Sequence, residues 1–324
     1  MKILITGGAG YIGAHVGLEL LDQGYEVVVL DDLSMGTKEN VDTRAEFILG
    51  SILNREDNEK ALDGVDAVIH MAAFKAAGES VENPEKYMHN NVYGTLTLLD
   101  TMVDLSIQNF VFSSSAAVYG DPKYLPIDER HPVNPINPYG ESKLIIEKIL
   151  KDVYESKGIR SASLRYFNAA GYDIKGRIRI PEKGPNNLLP IVMETANGTR
   201  NKMNVFGNDY KTPDGTGVRD YIHVSDLAKA HILSVNYLKN NPSITVNLGS
   251  EVGYSVQEII DTARKITGEI IPTEIKSRRS GDPPKLVASS ENAKEILKWS
   301  AEHSEIETLI STMWEIYCHA EVTE

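Results

Sequence analysis

The chain has 324 residues, 41% hydrophobic and 24% charged, a balance that excludes a disordered, collagen-like or membrane-bundle protein. Its 33 Lys and Arg against 46 Asp and Glu leave a formal charge of −13. That excludes general binding to nucleic acid or to an anionic membrane, while leaving room for a local basic site for one small anion. At about 150 residues per domain, the length predicts roughly two domains. The single cysteine, Cys318, cannot build an intrachain disulfide or a thiolate metal site, and this usage fits a reducing, cytoplasmic setting. The apolar start, Lys2 to Thr6, runs straight into a glycine turn and is too short for a signal peptide. No stretch reaches the roughly 18 apolar residues of a membrane span.

In chain order, Lys2 to Thr6 reads as a buried strand and Ile12 to Leu21 as a helix that Gly24 stops. Tyr25 to Leu30 is a second strand, closing at Asp31-Asp32. Glu46 to Leu49 is a third, followed by a polar helix around Glu56 to Leu62, and Asp66 to Met71 is a fourth. Asn91 to Leu105 carries a helical stripe of Val92, Leu96, Leu99, Met102 and Val103. Asn109 to Ser113 is a fifth strand, Tyr139 to Tyr154 a long amphipathic helix before Gly158, and Ser161 to Tyr166 a sixth strand. Strands alternating with helices require parallel pairing and right-handed crossovers, so the predicted fold class is α/β, a doubly wound parallel (Rossmann) sheet. Beyond Ala170 the chain turns to Gly, Pro and Asn with few periods. Ser255 with Glu258 forms a capping box opening a helix to Ile266. Ser304 with Glu307 is expected to open another, with Ile306, Leu309, Ile310, Met313 and Tyr317 as its apolar face. We read residues 1–170 as a dinucleotide-binding domain and 171–324 as a smaller, irregular C-terminal substrate domain, with the chain free to cross between them.

Gly7, Gly10 and Gly13 are spaced G-x-x-G-x-x-G between the first strand and the first helix. Such a turn brings backbone N–H donors of a helix N-terminus to a pyrophosphate. A Walker loop is excluded, because Ala14-His15 follow where Lys-Ser or Lys-Thr would stand. Asp31 follows Gly13 by 18 residues, at the end of the second strand. A carboxylate there accepts from an adenosine ribose and repels a 2′-phosphate, and Asp32 adds a second negative charge, so the predicted cofactor is NAD rather than NADP.

Tyr139 and Lys143 stand one helical turn apart in Tyr-Gly-Glu-Ser-Lys. A phenol with a pKa near 10 is a poor base at neutral pH. An ammonium one turn away and a positive nicotinamide would favour the phenolate, which could then take a proton from a sugar hydroxyl as hydride leaves the same carbon. Ser113-Ser114-Ser115 ends the fifth strand, at the sheet edge where such folds bind ligands. Other chemistries lack support: there is no G-x-S-x-G elbow and no H-x-x-x-H pair, so no metal is expected. His70 and His223 read as packed structural residues.

The motifs TGGAGYIG (6–13), AAFKAAGESV (72–81), NNVYGT (90–95), SSSAAVYG (113–120) and YGESK (139–143) are joined by RYFNAAG (165–171), NNLLP (186–190), VFGNDYKTPDGTGVRDYIHVSDLA (205–228) and RRSGDPP (278–284). Over nearly its whole length the chain resembles the extended short-chain dehydrogenase/reductases, and within them the UDP-glucose 4-epimerase family. The resemblance implies Tyr139 as catalytic base, Lys143 as its partner and Ser115 as third member. It places NAD against Gly7, Gly10, Tyr11, Ile12, Gly13, Asp31, Asp32, Leu33 and Ser34. Further NAD contacts fall at Ser51, Ile52, Ala72, Ala73, Phe74, Lys75, Asn90, Ser113, Tyr139, Lys143 and Phe167. A UDP-sugar would be held by Ser115, Asn168, Asn187, Leu188, Val205, Phe206, Arg219, Tyr221, Arg279 and Asp282. Arginine forks suit a diphosphate, and an aromatic such as Phe206 can face a uracil. Ser51 stands where the family has an aspartate reading the adenine, so that contact is expected to weaken or pass to the backbone. Leu286 stands where some members carry a bulky tyrosine in the sugar pocket, which opens the pocket to N-acetyl sugars. Other UDP-sugars, including UDP-glucuronate, stay open as substrates. A 4,6-dehydratase would carry an Asp-Glu pair where Ala116-Ala117 stand, and a non-catalytic NAD-binding regulator would not need Tyr139, Lys143 and Ser115. The resemblance also implies a homodimer through the helices near 91–105 and 139–154.

Overall fold

The β-branched runs of the first half become strands, and the stripes between them become the helices that cover the sheet. The computed structural model describes residues 1–279 and 282–319. Its first half runs β1 (Lys2–Thr6), α1 (Tyr11–Asp22), β2 (Glu26–Asp31), β3 (Glu46–Leu49), α2 (Arg55–Ala61), β4 (Ala67–His70), α3 (Ala77–Glu82), α4 (Pro84–Tyr87), α5 (Gly94–Asp104), β5 (Asn109–Ser113), α6 (Pro138–Lys157) and β6 (Arg160–Tyr166). There follow β7 (Asn168–Ala170), α7 (Leu188–Ala196), β8 (Met203–Phe206), β9 (Val218–His223), α8 (Val224–Leu238), β10 (Ile244–Leu248) and β11 (Gly253–Ser255). The chain closes with α9 (Val256–Thr267), β12 (Thr273–Lys276), β13 (Lys285–Leu286), α10 (Glu291–Leu297) and α11 (Ile306–Tyr317).

Seven strands form one sheet in the order β10-β6-β5-β4-β1-β2-β3, with every neighbouring pair parallel. The doubly wound architecture is therefore as read from the sequence. The order reverses between β1 and β4, and the carboxyl ends of those strands open a crevice at that switch point. Side-chain alternation decides the two layers. Ile3 and Ile5 face Val16 and Leu20 of α1 and Leu227 and Val235 of α8. Leu4 faces the other way, toward Leu98, Leu99 and Met102 of α5 and Ile146 and Leu150 of α6. Each such fully buried aliphatic side chain contributes about 1.5–3 kcal/mol. The chain returns to this sheet late: β10 pairs with β6, Ile244 opposite Ala162. A third core joins α7, α9 and α11 through Val192, Met193, Ile259, Ile260, Leu309 and Met313. Smaller sheets gather β7, β11 and β13 around β9 and pair β12 with β8.

Three element readings need correction. The helix expected from Asn91 begins earlier, because a π turn over Met88–Tyr93 joins α4 to α5. Within α5 the buried face is Leu98, Leu99 and Met102, and Leu96 is exposed. Ser304 does not cap α11, whose N-cap is Glu305 without a side-chain bond. Its hydroxyl instead donates to Asp226 Oδ2 (2.8 Å) and accepts from His223 N (2.8 Å). Helices α7 and α8 were not anticipated, although Val224, Leu227, Val235 and Leu238 do recur at helical spacing and are buried. The Ser255–Glu258 capping box is present, and Gly268 ends that helix. Among the described residues, no helix is long and apolar enough to cross a membrane.

Candidate active site

A cleft of ≈ 370 Å³ lies at the switch point. Gly7 has φ +71°, and a Cβ on it would lie 2.7 Å from Ala72 N. A Cβ on Gly13 would overlap Gly7 O, so both positions need glycine. Gly10 is the N-cap of α1 and has no side chain to cap with, so the first-turn N–H groups of Tyr11, Ile12 and Gly13 are left toward the cleft they line. Asp31 ends β2 with its carboxylate accepting Ala9 N (2.9 Å) and Leu33 N (2.8 Å). Burial raises its pKa, against the pull of those two N–H donors. Leu33 is held in the left-handed region (φ +60°) by that bond, turned away from the cleft lining. Asp32 accepts from Ser34 N and Oγ (2.9 and 2.6 Å). Ser51 lines the cleft, but its N–H donates to Asp57 Oδ2 (2.9 Å) and its hydroxyl accepts from Leu53 N (3.3 Å). The Ser51 N–H and hydroxyl are thus both engaged within the turn. Ile52, Ala72, Ala73, Phe74, Lys75, Asn90 and Phe167 complete the same wall.

Tyr139, Lys143 and Ser115 meet in this cleft. Asn137 caps α6 by accepting Gly140 N (2.9 Å), and Pro138 sits at the first helical position, which fixes the entry of Tyr139. Lys143 Nζ lies 5.9 Å from the Tyr139 ring centroid and donates to Ser113 O (2.8 Å). Burial pushes the Lys143 ammonium down to about 7, and the Glu147 carboxylate pulls it back up. Burial raises the Tyr139 phenol, and the Ser115 hydroxyl lowers it. The Lys143 ammonium is thus turned to a carbonyl, and burial disfavours the charged forms of both Tyr139 and Lys143. Ser113 sits behind the cleft, its hydroxyl bonded to His231 Nε2 (3.1 Å). His70 is packed as expected, between the Thr6 and Thr95 hydroxyls (2.7 and 2.8 Å). His223 is buried too, its Nδ1 accepting Ser225 N (3.1 Å).

The residues expected to hold a sugar nucleotide fall into three groups. Asn168 and Asn187 line the same cleft, and Asn168 Nδ2 donates to Asp220 O (2.8 Å). Leu188 opens α7 beside them. Val205 and Tyr221 are buried in the core under α7 and α9. Phe206, Arg219, Arg279 and Asp282 form an outer cluster: the Arg279 guanidinium lies 3.9 Å from the Phe206 ring centroid, and Arg219 pairs with Asp282. One face of Phe206 is thus covered by a cation, which its electron-rich ring attracts. Ser280 and Gly281 of the same motif lie outside the described residues.

A family model described as the NAD dependent epimerase/dehydratase family matches residues 3–249. The chain belongs to that family. A UDP-glucose 4-epimerase of Streptococcus mutans serotype c is 47% identical over 319 residues, covering 97% of this chain and 96% of the relative. The crystal structure of UDP-glucose 4-epimerase from Brucella ovis in complex with NAD superposes with a TM-score of 0.95 at 43% identity, covering 98% of each chain. That of the Bifidobacterium longum enzyme, in complex with NAD+ and UDP, has a TM-score of 0.92 at 39% identity and covers 98% of each chain.

Against this family frame, sequence reasoning passed over one segment of the cleft. Ile178, Ile180, Pro181, Glu182 and Lys183 fold across its mouth. Asn40 holds Ile180 by a reciprocal pair (3.0 and 3.2 Å), Lys183 Nζ donates to Gly36 O (2.8 Å), and Lys75 pairs with Glu182. Nothing periodic marks this stretch, and its partners lie more than a hundred residues away in sequence. Asn91 was also passed over for its neighbour Asn90. Its amide accepts Phe74 N (2.9 Å) and donates to Phe74 O (3.0 Å), which fixes the wall from Ala72 to Lys75. Its burial shows only in the fold, where a buried Asn must find partners off its own helix. Among the described residues, no cluster of His, Cys, Asp or Glu is arranged to hold a metal.

Proposed function

We propose that this protein is a UDP-glucose 4-epimerase, interconverting UDP-glucose and UDP-galactose with NAD held in the glycine cleft. The observation that carries the reading is the meeting of Tyr139, Lys143 and Ser115 in the same cleft as the glycine cradle. Full-length likeness to curated UDP-glucose 4-epimerases supports it. The cradle suits a dinucleotide, because its helix N-terminus leaves donors free and Asp31 stands at the end of the next strand. When bound, NAD accepts a hydride from C4 and returns it.

Tyr139 takes the proton of the C4 hydroxyl and later gives it back, so the cycle is redox-neutral and ends with C4 inverted. Ser115 holds the same oxygen. Lys143 supplies positive charge beside the phenol. Burial raises Tyr139, and the positive nicotinamide of a bound NAD would supply the further charge that lowers it. The 4-keto sugar turns over while Arg219, Arg279 and Asn187 hold the nucleotide. The segment from Ile178 to Lys183 keeps the dinucleotide in place.

A second substrate class has one observation in its favour. Leu286 packs against the small core of Val118, Tyr119, Ile127 and Leu144, as Phe167 of the cleft also does, and has less bulk than a tyrosine, so UDP-N-acetylhexosamines fit the same reading. We also infer a homodimer through α5 and α6, where Leu96 on α5, Tyr154 on α6 and Tyr93 of the π turn just before α5 are exposed; light scattering at the size of one chain would contradict it. Tyr139→Phe is the test of the function. We expect turnover of UDP-galactose to fall by at least about a hundredfold with UDP affinity unchanged. Unchanged turnover would overturn the assignment.

A further inference from the structure

Below the reacting groups lies a buried carboxylate that the reaction as described does not use. Glu147 follows Lys143 by one turn of α6, and its side chain is only 8% exposed. Its Oε1 accepts from the Ser114 hydroxyl (2.6 Å) and from Arg165 Nε (2.9 Å), while Oε2 accepts from Arg165 Nη2 (2.5 Å). Arg165 passes the connection on, its Nη1 donating to the Tyr119 hydroxyl (3.0 Å), which donates to Asn247 Oδ1 (2.6 Å). A bidentate ion pair of this kind is held firmly in register.

The carboxylate meets the Ser113–Ser115 turn at its middle residue. The residue before, Ser113, offers its carbonyl to Lys143 Nζ (2.8 Å). The residue after, Ser115, lines the cleft and accepts Ala117 N (3.1 Å). So α6 grips this turn twice, through Lys143 on one side and Glu147 on the other, while carrying Tyr139 one turn earlier. We propose that Glu147 is a positioning residue for the reaction: by holding Ser114 it fixes Ser115 and the Ser113 carbonyl relative to Tyr139 and Lys143.

A second effect follows from charge. The Glu147 carboxylate raises Lys143, opposing burial, and so extends the ammonium form to higher pH. The other groups around Lys143 do not replace it. His70 on β4 is held neutral by burial, His231 on α8 is likewise lowered to about 4, and Arg165 on β6 is neutralised by Glu147 itself. The Ser113 carbonyl, the Phe112 ring face and the Tyr166 phenol, which burial raises, bring no formal negative charge at neutral pH.

This inference rests on the epimerase reading, so parent and variants are assayed together on UDP-galactose. Ser114→Ala removes the hydroxyl and leaves the Glu147–Arg165 pair intact. We expect its kcat to fall by roughly tenfold, with UDP affinity and the alkaline limb of the pH profile unchanged. Glu147→Gln removes the charge and leaves Arg165 uncompensated, both of which push Lys143 down; its alkaline limb should move toward acid by about one pH unit. An inactive parent would overturn the function. With an active parent, a Ser114→Ala kcat within twofold of it, or a loss shared equally with UDP binding, would overturn the positioning role alone. A folded Glu147→Gln with an unmoved alkaline limb would overturn the charge effect on Lys143, and if that variant does not fold, Ser114→Ala alone decides the positioning role.

Discussion

Asp31 shows how much a single residue can carry. Its carboxylate accepts two backbone N–H groups that shape the turn, and it still faces the cleft where a ribose would lie. A neutral amide at this position keeps an acceptor and removes the charge that rejects a 2′-phosphate. Asp31→Asn should therefore weaken NAD and narrow its preference over NADP by about tenfold, read by titrating both nucleotides; an unchanged ratio would count against the assignment. Residues such as Asp31, Tyr139 and Lys143 were legible because their meaning is local: a strand end, or two positions one helical turn apart. Asn91 and Lys183 were not, because each acts on backbone that only the fold brings near. The surroundings of Tyr139 were not legible for a related reason. Spacing places a lysine beside the phenol but does not reveal that its ammonium bonds Ser113 O and that burial penalises both charges.

At the scale of elements, the π turn between α4 and α5 is the departure with a consequence. It joins α4 to α5 without a break, so helical structure begins before the apolar stripe of α5. It also carries Asn91 to the position where its amide mimics a strand partner for Phe74. Asn91→Ala would leave the Phe74 N–H and C=O unpaired at the wall of the cleft, a loss of about 1–3 kcal/mol. We expect a lower melting temperature and faster NAD release, followed by the ultraviolet absorbance of nucleotide passing a dialysis membrane. Release at the parent rate would show that this wall does not depend on the amide. The strands and α6 were legible from period alone. Helix α7 was not, because a stretch rich in Gly, Pro and Asn on both sides masks its nine residues.

Across the whole molecule, buried neutral histidines tie the layers together. His15 on α1, His70 on β4 and His223 and His231 around α8 are all lowered by burial, to about 4, 3, 3 and 4. An unfolded chain takes up these protons below pH ~6.5, while the native fold does not until far lower, so stability falls as pH drops from ~6.5 toward 4. Each histidine contributes up to about 1.4 kcal/mol per pH unit in that window. Asp220, raised to about 6 by burial, works in the opposite sense and offsets roughly one of them. We expect the melting temperature to decline steadily from pH 7 to 5; a flat profile would contradict this accounting. The segment from Ile178 to Lys183 joins the two halves over the cleft, which is why the dinucleotide should stay bound through purification. The most direct measurement of the central claim uses UDP-galactose carrying deuterium at C4, given to the purified protein without added cofactor and followed by NMR. The account predicts UDP-glucose with the deuterium still on C4, because the hydride never leaves the site. Loss of the label to water, or no conversion at all, would contradict it.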